Sequence, residues 1–256
     1  MSDILAVAIE AARTAGRFIK KKSGNFGKVH SKGDRNLVTD IDRQAERIIL
    51  KKISARFPGH AILAEESGKN KRQSEYRWIV DPIDGTHNYI RGINVYGVSL
   101  GLMRGDDFVL GVIYMPHDDE LYTAEKWQGA YKNGKRMKVS GKKDLKGCSF
   151  SFDSSIRYKP RVMLPVLGEA CRKAFNVRMT GSSVRALSYI AEGKLDFSIE
   201  FYDKPWDFAG GVCLIEEAGG KITALDGARV GIENVGYIAS NGKVHAQVSR
   251  IVNKYL

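Results

Sequence analysis

The hydrophobic rhythm of the chain changes twice, and those changes limit the folds open to it. Residues 3 to 22 place Ile4, Leu5, Ala8, Ala11, Ala12, Ala15, Phe18 and Ile19 at helical spacing, with Lys20, Lys21 and Lys22 where they suit the helix dipole. A second helix is expected from about Thr39, its apolar residues Ile41, Ala45, Ile48, Ile49, Ile53 and Phe57 stepping by three and four until Pro58-Gly59. Residues 23 to 38, rich in Gly, Ser and Lys without a period, predict a mobile loop or a loosely held hairpin. From Ala61 the runs AILAEE, YRWIV, VYGVSLGLMRGDDFVLGVIYMP, LYTAE and GAYKNGKRMKV predict a meandering, largely antiparallel sheet reaching to about residue 140.

After about Cys148, helix and strand alternate: helices are expected over 161–174, SSVRALSYIAEG, DFAGGVCLIEEAGG and HAQVSRIVNKYL, and strands over NVRMT, KLDFSIE, KITAL and GYIAS. Such alternation predicts a layered α/β unit. No linker with a sharp compositional break divides the chain, so portions 1–146 and 147–256 are expected to pack against each other.

With 256 residues, 43% hydrophobic and 27% charged, the chain can bury a large core, which argues against disorder. No apolar run approaches the roughly 20 residues that span a bilayer, and the N-terminus MSDILAVAIEAART lacks a basic region with a cleavage site; a cytoplasmic protein without a membrane partner is expected. Cys148, Cys171 and Cys213 form no CxxC pair and are expected to be small buried apolar residues. The net charge of +12 attracts anions. Its densest stretch, 126–146, reads as hairpin turns with solvated lysines and carries no nucleic-acid recognition pattern, and a field favouring phosphorylated small molecules fits the charge at least as well as nucleic acid.

Acidic residues stand where predicted elements end: Glu65-Glu66 after AILA, Asp81 and Asp84 after RWIV, and Asp207 after KPW. Each has an ordinary explanation: solvated loop acids, an Asp-Pro and Asp-Gly turn, and a helix N-cap. Taken together they suit hard divalent cations, which take oxygen ligands from a few carboxylates, waters and substrate phosphate. Two such ions roughly 4 Å apart need a bridging carboxylate with others flanking it. Magnesium, with manganese as the alternative, fits a chain with no cysteine or histidine cluster. If a helix starts at Gly85-Thr86, its free amides face a phosphate and the threonine hydroxyl can orient a water.

The segments AEES (64–67), WIVDPIDGTHNY (78–89) and KPWDFAGGVCLIEEAGG (204–220) resemble the three signature segments of the inositol monophosphatase family, which includes archaeal-type fructose-1,6-bisphosphatases. The resemblance runs from LVTDID to the final helix and implies a layered α-β-α-β-α sandwich, a homodimer, and two or three magnesium ions per site. It implies that Glu65, Asp81 and the Ile83 carbonyl hold the first metal, that Asp81, Asp84 and Asp207 hold the second, and that Glu65 and Thr86 polarise the attacking water. By the same resemblance Asp42 supports Thr86, although a capping box with Thr39 also accounts for it. Lys32 matches a loop lysine, Gly85 and Thr86 would meet the phosphate, and Glu200 and Ser183 would contact polyol hydroxyls. Arg185 and Lys204 depart from the pattern; if either reaches the pocket, it could bind a second phosphate and favour fructose 1,6-bisphosphate. Inositol 1-phosphate or a related sugar phosphate is the expected substrate, ahead of the bisphosphate, of 3′-phosphoadenosine 5′-phosphate and of nucleic-acid binding.

Overall fold

A computed structural model describes residues 2–25, 27–33 and 36–256; the side chains of Ser31, Lys32 and Asn36 also lie outside what it describes, so the loop lysine is not placed. The two N-terminal helices form as their periodicity predicts. In α1 (Asp3–Lys21) the Ser2 hydroxyl accepts the Leu5 N–H at 3.1 Å. Strands β1 (Val29–Gly33) and β2 (Asn36–Thr39) pair antiparallel, which selects the hairpin alternative for this stretch, and Thr39 then caps α2 (Asp40–Arg56).

Eight strands follow: β3 (Ala61–Ala64), β4 (Gly68–Lys69), β5 (Tyr76–Asp84), β6 (Gly97–Arg104), β7 (Asp107–Met115), β8 (Glu120–Glu125), β9 (Gly129–Lys132) and β10 (Lys135–Arg136). They form one sheet in the order β10-β9-β8-β7-β6-β5-β3-β4, antiparallel except where β3 runs beside β5. The short helix α3 (Thr86–Ile90) leaves the end of β5. The C-terminal portion contains β11 (Ser149–Phe152), α4 (Pro160–Lys173), β12 (Asn176–Arg178), α5 (Ser183–Ala191), β13 (Phe197–Glu200), α6 (Pro205–Glu217), β14 (Lys221–Thr223), β15 (Tyr237–Ser240) and α7 (His245–Asn253). Its sheet order is β12-β11-β13-β15-β14, parallel about β11 and antiparallel about β15.

Side-chain alternation along the strands generates the layers. On β5, Trp78 and Val80 face α1 and α2, while Ile79 faces α5 and α6; on β15, Tyr237 and Ala239 face α5 and α6 from the other sheet, while Ile238 faces α4 and α7. Both sheets therefore cover the same central pair of helices, and the fold is the expected α-β-α-β-α sandwich. Helix α6 lies unusually close to the large sheet. A Cβ on Gly101 would meet Ala209 at 2.7 Å, and one on Gly210 would meet Ser99 Oγ at 2.5 Å, so Gly101 and Gly210 serve close contact between helix and sheet, while Gly211 makes room for Leu187 of the C-terminal portion.

Three details differ from expectation. The segment starting at Asp81 is not a plain turn: β5 continues to Asp84, and its pairing with β6 slips between Asp81 and Asp84 as a bulge. Helix α6 begins at Pro205, because proline suits the first helical turn, so Lys204 is the N-cap and Asp207 is not. Cys148 and Cys213 are buried as expected, whereas Cys171 is exposed on α4. Among the described residues, no helix is long and apolar enough to cross a membrane.

Candidate active site

The bulge in β5 is what aims its aspartates. Asp81 Oδ1 accepts the Ile83 N–H at 2.9 Å, which turns the chain, and Gly85 then takes φ +84°, a left-handed conformation that glycine adopts without strain. A Cβ there would approach the Val95 carbonyl to 2.8 Å, so both sterics and conformation call for glycine. Asp84 is held from the opposite portion of the chain: the Ser182 hydroxyl donates to Oδ2, and the Ser183 N–H donates to Oδ1 at 3.1 Å. Asp207, in the first turn of α6, accepts the Lys204 N–H at 2.6 Å.

These elements bring together Asp81, Asp84 and Asp207, each offering a carboxylate oxygen within 4.8 Å of the others. Glu65, just beyond β3, lines the same cavity. Burial, and then the neighbouring charges of Glu65, Asp84 and Asp207, hold the Asp81 carboxyl well above the usual range. Burial pushes Asp84 up to about 6, against the hydrogen bonds from Ser182 and Ser183. Asp207 is raised by burial and by Asp203, Glu65 and Asp84. Buried Asp81 and Asp84 with half-buried Asp207, crowded so that charge on one disfavours charge on the next, fit a hard divalent cation. Glu65, Asp81, Asp84, Asp207 and the Ile83 carbonyl are the groups placed to hold it.

Thr86 begins α3 beside this cluster. Its hydroxyl donates to Asp42 Oδ1 at 3.1 Å and is 3.0 Å from the Ile83 carbonyl. Asp42 Oδ2 meanwhile accepts the Thr39 N–H at 2.8 Å and its hydroxyl at 2.5 Å, so the capping box and the support of Thr86 are both present. Gly85 and Thr86 line the cavity where first-turn amides lack intrahelical partners.

The cavity is about 700 Å³ and continues from the carboxylates to Glu200, Ser183 and Lys204. Glu200 is 6% exposed and accepts the Ser198 hydroxyl at 2.9 Å. The amide of Ser183 is committed to Asp84, so that atom does not serve a ligand. Lys204 stands exposed at the rim. Arg185 does not reach the cavity, and the second-phosphate role expected of it is corrected: its guanidinium is 3% exposed and spans Glu120 at 2.6 Å and Asp118 at 3.0 Å on the β7–β8 side.

Sequence reading missed Ser182, Asp153 and Asp203. Ser182 is the N-cap of α5, a position signalled by the preceding Gly181. Asp153 follows β11 and lines the cavity, as does Asp203, four residues before Asp207 in EFYDKPWD. An acid at a strand end and an acid between two candidate acids were the available signals.

The sequence profile of the inositol monophosphatase family matches residues 1–256. A fructose-1,6-bisphosphatase/inositol-1-monophosphatase of Aquifex aeolicus is 37% identical over 259 residues, covering 98% of this chain and 96% of that protein. A putative Nus factor SuhB of Neisseria meningitidis serogroup B is 33% identical, with both chains covered fully (100% each). The crystal structure of the extragenic suppressor protein suhB from Bartonella henselae superposes with a TM-score of 0.95 at 32% identity over 100% of both chains. An inositol monophosphatase structure from Thermotoga maritima gives 0.91 at 31% identity, covering 99% and 98%. The signature segments, the five-layer fold and the carboxylate cluster agree with these matches, and the chain belongs to the inositol monophosphatase family.

Proposed function

We propose that this protein is a magnesium-dependent phosphomonoesterase that hydrolyses inositol 1-phosphate or a related sugar phosphate by in-line attack of water. The observation that carries the reading is the convergence of Asp81, Asp84 and Asp207 within 4.8 Å, beside a threonine hydroxyl held by Asp42. Divalent cations held by Glu65, Asp81, Asp84, Asp207 and the Ile83 carbonyl would lower the pKa of water and neutralise charge on the departing oxygen.

The chain's own groups do the rest. The Thr86 proton points to Asp42 and Ile83, which leaves the oxygen's lone pairs to accept a hydrogen from the attacking water and fix its direction. Glu65 takes the water's proton. The amides of Gly85 and Thr86 bind phosphate oxygens, and Glu200 reads a hydroxyl of the alcohol. No covalent phosphoenzyme is needed. A homodimer, a cytoplasmic location and magnesium rather than manganese belong to the same reading, as does the division into portions 1–146 and 147–256.

Fructose 1,6-bisphosphate is the second candidate substrate, because the Aquifex aeolicus relative is named for both activities and Lys204 stands at the rim. A Nus-factor role, after the relatives so named, would draw on the +12 charge and would show nucleic-acid affinity falling steeply with salt. The deciding measurement is magnesium-dependent phosphate release from inositol 1-phosphate and from the bisphosphate, compared as kcat/KM. Release from inositol 1-phosphate that vanishes on chelation is expected; release from neither ester sinks the reading.

A further inference from the structure

Helix α5 reaches the metal-side cluster through its first turn. The Ser182 hydroxyl donates to Asp84 Oδ2 and the Ser183 N–H donates to Oδ1 at 3.1 Å, so both oxygens of one carboxylate are held by the start of one helix. Ser182 is 6% exposed, and as the N-cap of α5 its Oγ accepts the Arg185 N–H at 3.3 Å. A hydroxyl has a single proton to give, and with its oxygen already accepting from its own helix, that proton is directed at Asp84. The capping bond thus fixes the direction of the donor, and the donor fixes the rotation of the carboxylate.

Other contacts keep the start of α5 in place. Asn88, two residues beyond Thr86 on α3, donates its side-chain amide to the carbonyls of Val95 and Thr180, each at 2.8 Å, and of Gly181 at 3.3 Å. The Gly85 turn lies against the same stretch: a Cβ there would come within 3.4 Å of both the Gly181 carbonyl oxygen and Ser182 Cβ. Further along α5, the Arg185 guanidinium is tied to Glu120 and Asp118. Asp84 ends β5 of the large sheet, so Ser182 joins that sheet to the central helix at a residue of the Asp81, Asp84 and Asp207 group. A side chain free to rotate must give up that freedom to bind an ion, and one already held by a neighbour gives up less.

We propose that Ser182 is a positioning residue for the divalent-cation site, its hydroxyl presetting the Asp84 carboxylate for the ion that Asp81, Asp84 and Asp207 are placed to hold. Asn88 acts one step further back, by fixing the carbonyls that precede Ser182. The inference rests on the reading of the carboxylate cluster as a cation site and goes beyond it, because it assigns part of the affinity to a residue outside the ligand set. A helix cap and nothing more would stabilise α5 and leave that affinity unchanged.

The test is calorimetric titration of metal-free protein with manganese(II), which takes the same carboxylate ligands as magnesium. It follows the binding that Asp84→Asn abolishes, in the unmodified chain and in Ser182→Ala, Ser182→Gly and Ser182→Thr. Glycine caps a helix nearly as well as serine and alanine does so poorly, so the first two variants differ in helix stability while both lack the hydroxyl. Affinity is expected to fall about tenfold in both and to stay near the unmodified value in Ser182→Thr, which keeps the hydroxyl. Unchanged affinity in the alanine and glycine variants overturns the assignment. So does a loss confined to alanine, the mark of a cap alone, or a loss in threonine as large as in alanine. The readout needs no substrate: if the unmodified protein binds manganese yet releases phosphate from no ester, the phosphatase reading falls and Ser182 is still judged by affinity. If the unmodified protein binds no manganese, the cation site falls and the assignment with it.

Discussion

Thr86 donates its hydroxyl to Asp42 Oδ1 across 3.1 Å, joining the start of α3 to the first turn of α2. The other oxygen of Asp42 closes the capping box with Thr39. One carboxylate therefore holds a helix end and orients a hydroxyl, and the two roles separate by substitution. Thr86→Val keeps the volume and removes the lone pairs; kcat is expected to fall about a hundredfold with little change in KM. Thr39→Ala is expected to lower stability by about 1 kcal/mol, with a much smaller loss of kcat. Undiminished kcat in Thr86→Val would remove the threonine from the reaction.

The carboxylate cluster makes stability depend on pH in a direction that can be worked out. A carboxyl raised on folding holds its proton in the folded chain where the unfolded chain has released it, so its stabilising effect is present at low pH and is lost as pH rises through the folded value. For Asp84 that window runs from the usual value near 4 to about 6, and burial moves Asp81 and Asp207 in the same direction. Protein stripped of metal should lose Tm between pH 5 and 7.5, and magnesium should restore it at the upper end. Asp84→Asn should stabilise the stripped protein at pH 7.5 by about 2 kcal/mol while nearly abolishing turnover. A Tm of stripped protein that rises with pH over this range contradicts the account.

Arg185 is a structural cation. With its side chain 3% exposed, Arg185 gives up two charge-assisted bonds in Arg185→Met, but Glu120 keeps Lys132 at 2.5 Å and Asp118 is 46% exposed, so the change should cost about 2 kcal/mol, read as a lower denaturant midpoint. Its discrimination between inositol 1-phosphate and fructose 1,6-bisphosphate should match that of the unmodified protein. A selective loss of bisphosphate turnover would return Arg185 to the pocket.

Much of the fold was legible because period-2 and period-3.6 patterns follow directly from which faces are buried, as Ile79 between Trp78 and Val80 shows. The metal-side residues were legible because Asp81, Asp84, Gly85 and Thr86 are contiguous and Asp207 opens a helix. Ser182 and Asp153 were not, since each acquires its role from a distant stretch: Ser182 from Asp84, Asp153 from the amides of Phe201 and Tyr202. Arg185 was misread for a geometric reason. It lies two residues beyond Ser183, roughly 200° around a helix, so the face that meets the cavity at Ser183 cannot also present Arg185.

The glycines that seat α6 on the large sheet connect packing to the site. A Cβ on Gly111 would fall on the carbonyl oxygen of Gly210, a clash of backbone with backbone that no rotamer change relieves. Gly111→Ala must therefore push α6 away from β7, at a cost of about 3 kcal/mol or more. Because α6 carries Asp207, the displacement should also raise the magnesium concentration for half-maximal activity. Gly134→Ala provides the contrast: with φ +77° and nothing within 4 Å of its added Cβ, it should cost about 1 kcal/mol and leave the magnesium requirement alone. If Gly111→Ala melts at the unmodified temperature, the close seating of α6 is not what fixes Asp207.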